Sequence, residues 1–130
     1  MASNVFAHSD DLKNMANCML KLIKPNGTII VEVQYLVNTL KDLTFDNIYH
    51  EHYNYWSLTS LVNFFNQFNA KIIKSECVDT HGGSLRIYIK KDKNSLKTSF
   101  LDLQQQTTDN YGICYNNLFP KGKVLFFGLF

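Results

Sequence analysis

Asn4-Val5-Phe6-Ala7-His8, then Leu12 to Ile23, then Thr28-Ile29-Ile30-Val31-Glu32-Val33 are the stretches on which the fold turns. Residues 4–8 read as the end of a buried strand. Ser9 is a candidate N-cap, and Asp10 and Asp11 suit the positive end of a helix dipole. Leu12, Met15, Ala16, Met19, Leu22 and Ile23 recur at the helical period. Pro25-Asn26-Gly27 stops that helix with a turn. Thr28 to Val33 is β-branched except for Glu32, which reads as a strand buried on both faces. Strand, helix and strand in succession make a parallel α/β unit.

Outward from this unit, residues 36–56 are less regular and rich in aromatics. A second helix is expected from Ser57, with Leu58, Leu61, Val62, Phe65 and Phe68 on its apolar side. A strand follows from residue 71 to residue 79. His81-Gly82-Gly83 is a turn, and Ser84 to Lys90 alternates as a strand, so the two strands form an antiparallel hairpin at the sheet edge. Asp92 to Asn94 is a polar link, Leu96 to Gln106 a further helix and Val124 to Phe127 a short strand. The chain opens on the tail of a strand and closes on Val124-Leu125-Phe126-Phe127-Gly128-Leu129-Phe130. An apolar strand edge calls for a neighbour. The expectation is a piece of a longer protein; the alternative is an α/β domain with frayed ends.

Length and composition bound the class. The 130 residues allow one domain or part of a larger one. With 45% apolar and 18% charged residues the chain can offset its ordering entropy, which argues against disorder. The net charge of +2, from 13 basic and 11 acidic residues, leaves no electrostatic footprint for nucleic acid. Arg86 is the sole arginine, so bidentate phosphate or guanine readout is poorly supplied. No apolar run approaches the ~20 residues that span a bilayer, and Met1 to Asp11 lacks the pattern of a signal peptide. Cys18, Cys77 and Cys114 form no Cys-x-x-Cys pair, which argues against zinc knuckles and a disulfide framework. No membrane, no nucleic acid and a cytoplasmic setting are the expectations.

Three clusters carry chemistry. His8 follows the first strand, and ligands of open α/β sheets bind beyond the carboxyl ends of strands; the alternative is a structural hydrogen bonder. Tyr49-His50-Glu51-His52 precedes Tyr53, Tyr55 and Trp56. If the stretch turns helically, Tyr49, His52, Tyr53 and Trp56 share a face; if it is extended, His50 and His52 do. The helical version joins a phenol and an imidazole, with the Glu51 carboxylate one residue away. Such a set can remove a proton and hydrogen-bond an oxyanion; the alternative is a buried aromatic stripe. His81-Gly82-Gly83-Ser84-Leu85-Arg86 lets backbone approach a ligand closely, or is simply a hairpin turn. A metal site built on His-x-His and Glu51 matches no zinc signature, since His-Glu-x-x-His does not occur.

In order and spacing, several segments together resemble the sugar C-methyltransferases. These S-adenosylmethionine-dependent enzymes methylate a carbon of nucleotide-linked keto-deoxysugars. The segments are Asn4 to His8; Lys24-Pro25-Asn26-Gly27 running into Val31-Glu32-Val33-Gln34-Tyr35-Leu36; Ile48 to His52; Tyr55 to Leu58; and Thr80 to Tyr88. The resemblance implies an α/β fold: the C-terminal half of a Rossmann-like class I methyltransferase sheet, first strands missing, with an antiparallel hairpin at the edge. Residues 1–92 would be the second half of the catalytic domain, and 93–130 the start of a C-terminal domain that encloses the substrate. It makes His52 the general base, Tyr49 and Glu51 its catalytic companions, and His8, His81 and Ser84 the residues bordering the nucleotide-sugar substrate. Asn4 would lie close to the methyl donor.

The implied chemistry is coherent. Carbon attacks a sulfonium methyl as an enolate, which needs a base at the C–H and donors at the developing oxygen. A neutral imidazole, with an unperturbed pKa near 6.5, suits the base role. The chain departs from the family in lacking the glycine-rich first turn, the acid expected on the cofactor ribose, the first three strands and the zinc-domain cysteines. Weak binding of S-adenosylmethionine by this chain alone is therefore expected. A split gene, a truncated chain, or a remnant pairing with a separate polypeptide that carries the N-terminal half each accounts for the pattern. The rival readings are a non-catalytic remnant or subunit retaining sugar-nucleotide binding, and a His-cluster metal enzyme.

Overall fold

The structure, a computed structural model, describes residues 1–92; the side chains of Asn47 and His81 are outside the described set. The link at Asp92 to Asn94 beyond its first residue, the helix expected at 96–106, the strand at 124–127 and the domain from residue 93 also lie outside it.

The strand expected at residues 4–8 sits earlier, as β1 (Ala2–Ser3). Asn4 takes a left-handed backbone at φ +54°, a region that asparagine tolerates better than most residues, and this ends the strand. Phe6–His8 then forms one 3-10 turn. That turn drives Phe6 inward, where its ring meets Trp56, Phe64 and Phe65 at 5.5, 5.7 and 5.8 Å. Helix α1 (Leu12–Leu22) forms as expected and sets Leu12, Met15, Ala16 and Met19 against the core, but Leu22 is 85% exposed and Leu20 packs inward instead. Its cap is Asp11, which accepts from the Asn14 amide at 3.0 Å, and not Ser9. Ser9 instead offers its carbonyl to Asn54 Nδ2. The turn at Pro25–Gly27 closes with the Gly27 amide donating to the Lys24 carbonyl at 2.9 Å.

Strand β2 (Ile29–Gln34) runs parallel to β1, pairing Ala2 with Val31 and Ser3 with Glu32. This is the predicted parallel unit. Helix α2 (Leu36–Lys41) lies in the stretch that reads as irregular; at six residues it is too short to display a period. Helix α3 (Leu58–Phe65) starts at Ser57 as expected, with a capping box in which Ser57 and Ser60 bond each other's backbone amides. The helix ends before Phe68, whose ring packs on Phe64 at 5.0 Å. Strands β3 (Ala70–Val78) and β4 (Ser84–Lys91) form the antiparallel hairpin, with a bulge between Ile72 and Lys74.

The sheet order is β1-β2-β4-β3, with β4 antiparallel to both neighbours. This mixed four-stranded open sheet is consistent with the partial Rossmann-like sheet that the resemblance implies. Ile29, Val31 and Val33 of β2 and Leu85, Ile87 and Ile89 of β4 share one cluster with Ala16, Leu58, Leu61, Val62 and Phe65. Each large side chain so buried contributes roughly 1.5–3 kcal/mol. Alternation sends Glu32, Arg86, Tyr88 and Glu76 to the opposite face, where they form a polar network. The expectation that β2 is buried on both faces holds at Ile29, Val31, Glu32 and Val33; among the described residues Glu32, on the second face, is covered by its ion pair with Arg86.

Candidate functional site

The site grows from the carboxyl end of β1. The 3-10 turn brings His8 to the surface, and the segment after Tyr49 crosses over it. The Tyr53 amide donates to the Ala7 carbonyl at 3.0 Å, and Asn54 Nδ2 to the Ser9 carbonyl at 3.2 Å. One main-chain bond and one side-chain bond to a carbonyl thus hold residues 49–54 against residues 7–9. Residues 49–52 make one tight turn, in which the His52 amide donates to the Tyr49 carbonyl at 3.0 Å. This brings Tyr49 and His52 together as the helical alternative requires. The helix goes no further: Tyr53 is exposed while Trp56 is buried in the core, so the four residues do not share one face.

The Tyr49 hydroxyl lies 3.2 Å from His52 Nε2, with ring centroids 4.3 Å apart. The His8 ring packs on His52 at 4.7 Å, and Tyr55 meets it edge-on at 6.0 Å. His8 Nδ1 lies 2.8 Å from the Glu51 carbonyl. A carbonyl only accepts, so Nδ1 carries the hydrogen and donates, which leaves Nε2 of a neutral His8 ring as an acceptor. Glu51 therefore meets the cluster through its main chain, and the residue is exposed. His8 and His52 are partly exposed and Tyr49 is 41% exposed, so the group opens to solvent.

The other expected residues lie at the end of β1 and around the Thr80–Gly83 turn. Asn4 caps β1, its amide donating to the Glu32 carbonyl at 2.9 Å. Ser84 is fully buried and donates to the Thr80 carbonyl at 3.0 Å. The backbone of His81 lies in the 3-10 turn Thr80–Gly82; its side chain is outside the described set. Gly83 sits at φ +104°, and a Cβ there would come within 2.3 Å of Asn38 Nδ2. Glycine is needed at this point because α2 packs directly on the turn.

Glu32 is the residue whose importance the pattern only hinted at, as the one acid in a β-branched run. It is 2% exposed. Its Oε2 accepts from Arg86 Nε at 3.0 Å and Nη2 at 2.8 Å, and its Oε1 from Thr80 Oγ1 at 2.9 Å and Ser3 Oγ at 3.4 Å. Burial alone would raise its pKa. The hydrogen bonds from Arg86, Thr80 and Ser3, with the Arg86 charge, outweigh burial and hold the carboxyl below the usual glutamate range. Arg86 Nη1 also reaches Glu76 Oε1 at 3.3 Å, which accepts from the Tyr88 hydroxyl at 2.6 Å.

S-adenosylmethionine calls for a carboxylate free to face ribose hydroxyls and for open main-chain amides at a glycine turn. The acid buried beside the end of β1, Glu32, is saturated, and the Asn4 amide is already bonded. Of the described residues, these two groups are not open to a methyl donor. Nor do three His, Cys, Asp or Glu side chains converge to hold a metal among them. Among the described residues no helix is long and apolar enough to cross a membrane.

A short parallel unit whose strand end presents histidines, extended by a hairpin with its last strand inserted, fits the methyltransferase fold. Residues 1–75 match the family described as "Methyltransferase domain", and the chain belongs to that family. Over 83 residues, 64% of this chain, it is 40% identical to the C-methyltransferase NovU of Streptomyces niveus. The matched part is 20% of that protein's length.

Proposed function

We propose that this chain carries the proton-abstracting side of an S-adenosylmethionine-dependent C-methyltransferase acting on a nucleotide-linked keto-deoxysugar. The observation that carries the reading is the Tyr49–His52 pair at 3.2 Å, packed on His8 at the carboxyl end of β1. His52 Nε2 takes the proton from the carbon next to the ketone. The Tyr49 hydroxyl, on the same exposed turn, releases that nitrogen and donates to the oxygen on which enolate charge develops. His8, its Nδ1–H tied to the Glu51 carbonyl, offers Nε2 to a sugar hydroxyl. Glu51 orients His8 through its carbonyl, and the Thr80–Gly83 turn, with His81 in it, belongs to the opposite wall. The bound cofactor would supply an electrophilic methyl group.

Deuterium uptake at the carbon next to the ketone tests the base without requiring the methyl donor. His52→Ala is expected to lower both uptake and methyl transfer by at least ~100-fold, the usual scale of general-base loss. Retention of either within ~5-fold would place the base elsewhere. A second reading, a subunit that binds the sugar nucleotide without transferring methyl, draws on the saturated state of Glu32 and Asn4. It expects substrate binding by the chain with no calorimetric heat from S-adenosylmethionine. Micromolar cofactor affinity would remove it.

A further inference from the structure

We infer that Glu32 is a positioning residue that couples the two walls of the proposed substrate cleft, the end of β1 and the Thr80–Gly83 turn. The inference deepens the functional reading and, for its catalytic part, rests on it.

The geometry is that of a clamp. Toward β1, Oε1 takes Ser3 Oγ at 3.4 Å, next to the main-chain bond from the Asn4 amide to the Glu32 carbonyl at 2.9 Å that ends the strand pairing. Four residues beyond Asn4 the chain delivers His8. Toward the turn, Oε1 also takes Thr80 Oγ1 at 2.9 Å. Thr80 opens the 3-10 turn, and its carbonyl accepts from the Gly83 amide at 3.0 Å and from Ser84 Oγ at 3.0 Å. One carboxylate oxygen therefore touches both walls. The other is fixed by the two Arg86 contacts, so the carboxylate cannot rotate to favour either wall without breaking a charged pair. Because the residue is buried, a lost partner leaves a polar group that water does not easily replace. The sheet could have closed this position with another β-branched side chain. An acid here adds a link between strand end and turn that an apolar residue cannot make.

The 49–52 turn is held by other bonds, to Ala7, Ser9 and His8. Base chemistry and clamp are thus separable. In the methylating enzyme Glu32→Gln, which keeps shape but loses charge and one acceptor, is expected to raise KM for the keto sugar nucleotide about 10-fold. That is the scale of one charged hydrogen bond, with kcat held within ~2-fold. Thr80→Val should produce the same split. A residue that only stabilised the fold would lower the active fraction, so kcat would fall at unchanged KM. That outcome, or unchanged KM in both variants, overturns the inference.

A second measurement stands free of activity. Amide hydrogen exchange in the intact chain should rise about 10-fold or more at both Asn4 and Gly83 in Glu32→Gln, and at Gly83 but not Asn4 in Thr80→Val. A uniform rise that includes Val31 and Ile87, or a rise at one wall only in Glu32→Gln, also overturns it. Failure of the functional reading looks different: wild-type turnover is then independent of His52, and the exchange pattern alone decides the clamp.

Discussion

The polar face of the sheet and the turn at residues 49–52 are built from the same kinds of side chain and behave oppositely. At Glu32 both carboxylate oxygens are filled and the residue is buried. At Tyr49 and His52 the hydroxyl and the ring make a 3.2 Å contact at an open surface. A group saturated in the folded state has nothing left to offer a substrate, and its place is to hold geometry. A group with room around it can exchange partners during a reaction. Perturbed carboxyls mark functional sites often enough to be worth inspecting, and structural ion pairs perturb them equally. Here the depressed carboxyls, Glu32 and Glu76, belong to the clamp and its neighbour, and the base is sought where the side chains remain accessible.

Substitutions should separate the two regions by size of effect. Gly83→Ala is the most damaging, since the new Cβ would meet Asn38 Nδ2 at 2.3 Å and φ is +104°. We expect a loss of roughly 3 kcal/mol in urea unfolding, from strain and overpacking together. A loss under ~1 kcal/mol would mean that the turn yields and the closed region is looser than its bonds suggest. Next comes Glu32→Ala, at about 2–3 kcal/mol, because Arg86 keeps Glu76 as a partner while Thr80 and Ser3 lose theirs. An effect equal to that of a surface alanine would break the contrast between the regions.

Acid titration probes the same face. Hydrogen bonds from Lys74 and Tyr88 lower the Glu76 carboxyl, and those from Arg86, Thr80 and Ser3 lower Glu32 against its burial. Both groups bind a proton less readily folded than unfolded. The stability they contribute is complete above the unfolded value of about 4.3 and is lost as pH falls through the lower folded values. The carboxyl contribution to unfolding free energy should decline below about pH 5, with a shallower decline in Glu32→Gln. An equal slope in that variant would sever the link to the clamp. The smallest stability effect belongs to the open turn: Tyr49→Phe is expected to stay within ~0.5 kcal/mol while, on the proposed function, slowing methyl transfer about 10-fold or more. Loss of stability there without loss of rate would assign the tyrosine to packing.

Local pattern sufficed for α1, the turn at Pro25–Gly27, β2, the start of α3 at Ser57 and the antiparallel hairpin. Each rests on a repeat or a cap whose physics acts within a few residues. The slip of β1 to Ala2–Ser3 escaped it because Asn4 and Phe6 take their conformations from contacts elsewhere, the Glu32 carbonyl and the Trp56–Phe65 rings. Helix α2 escaped it because a six-residue helix leaning on Gly83 and Trp56 owes its stability to packing and not to period. The motifs named His8, Tyr49, Glu51 and His52 from the chain alone. Only the tertiary structure could set His8 against a carbonyl 43 positions away and Glu32 against a threonine 48 away. Residue type and spacing report what a segment can do, whereas which groups are saturated and which stay open depends on contacts that close loops of that length.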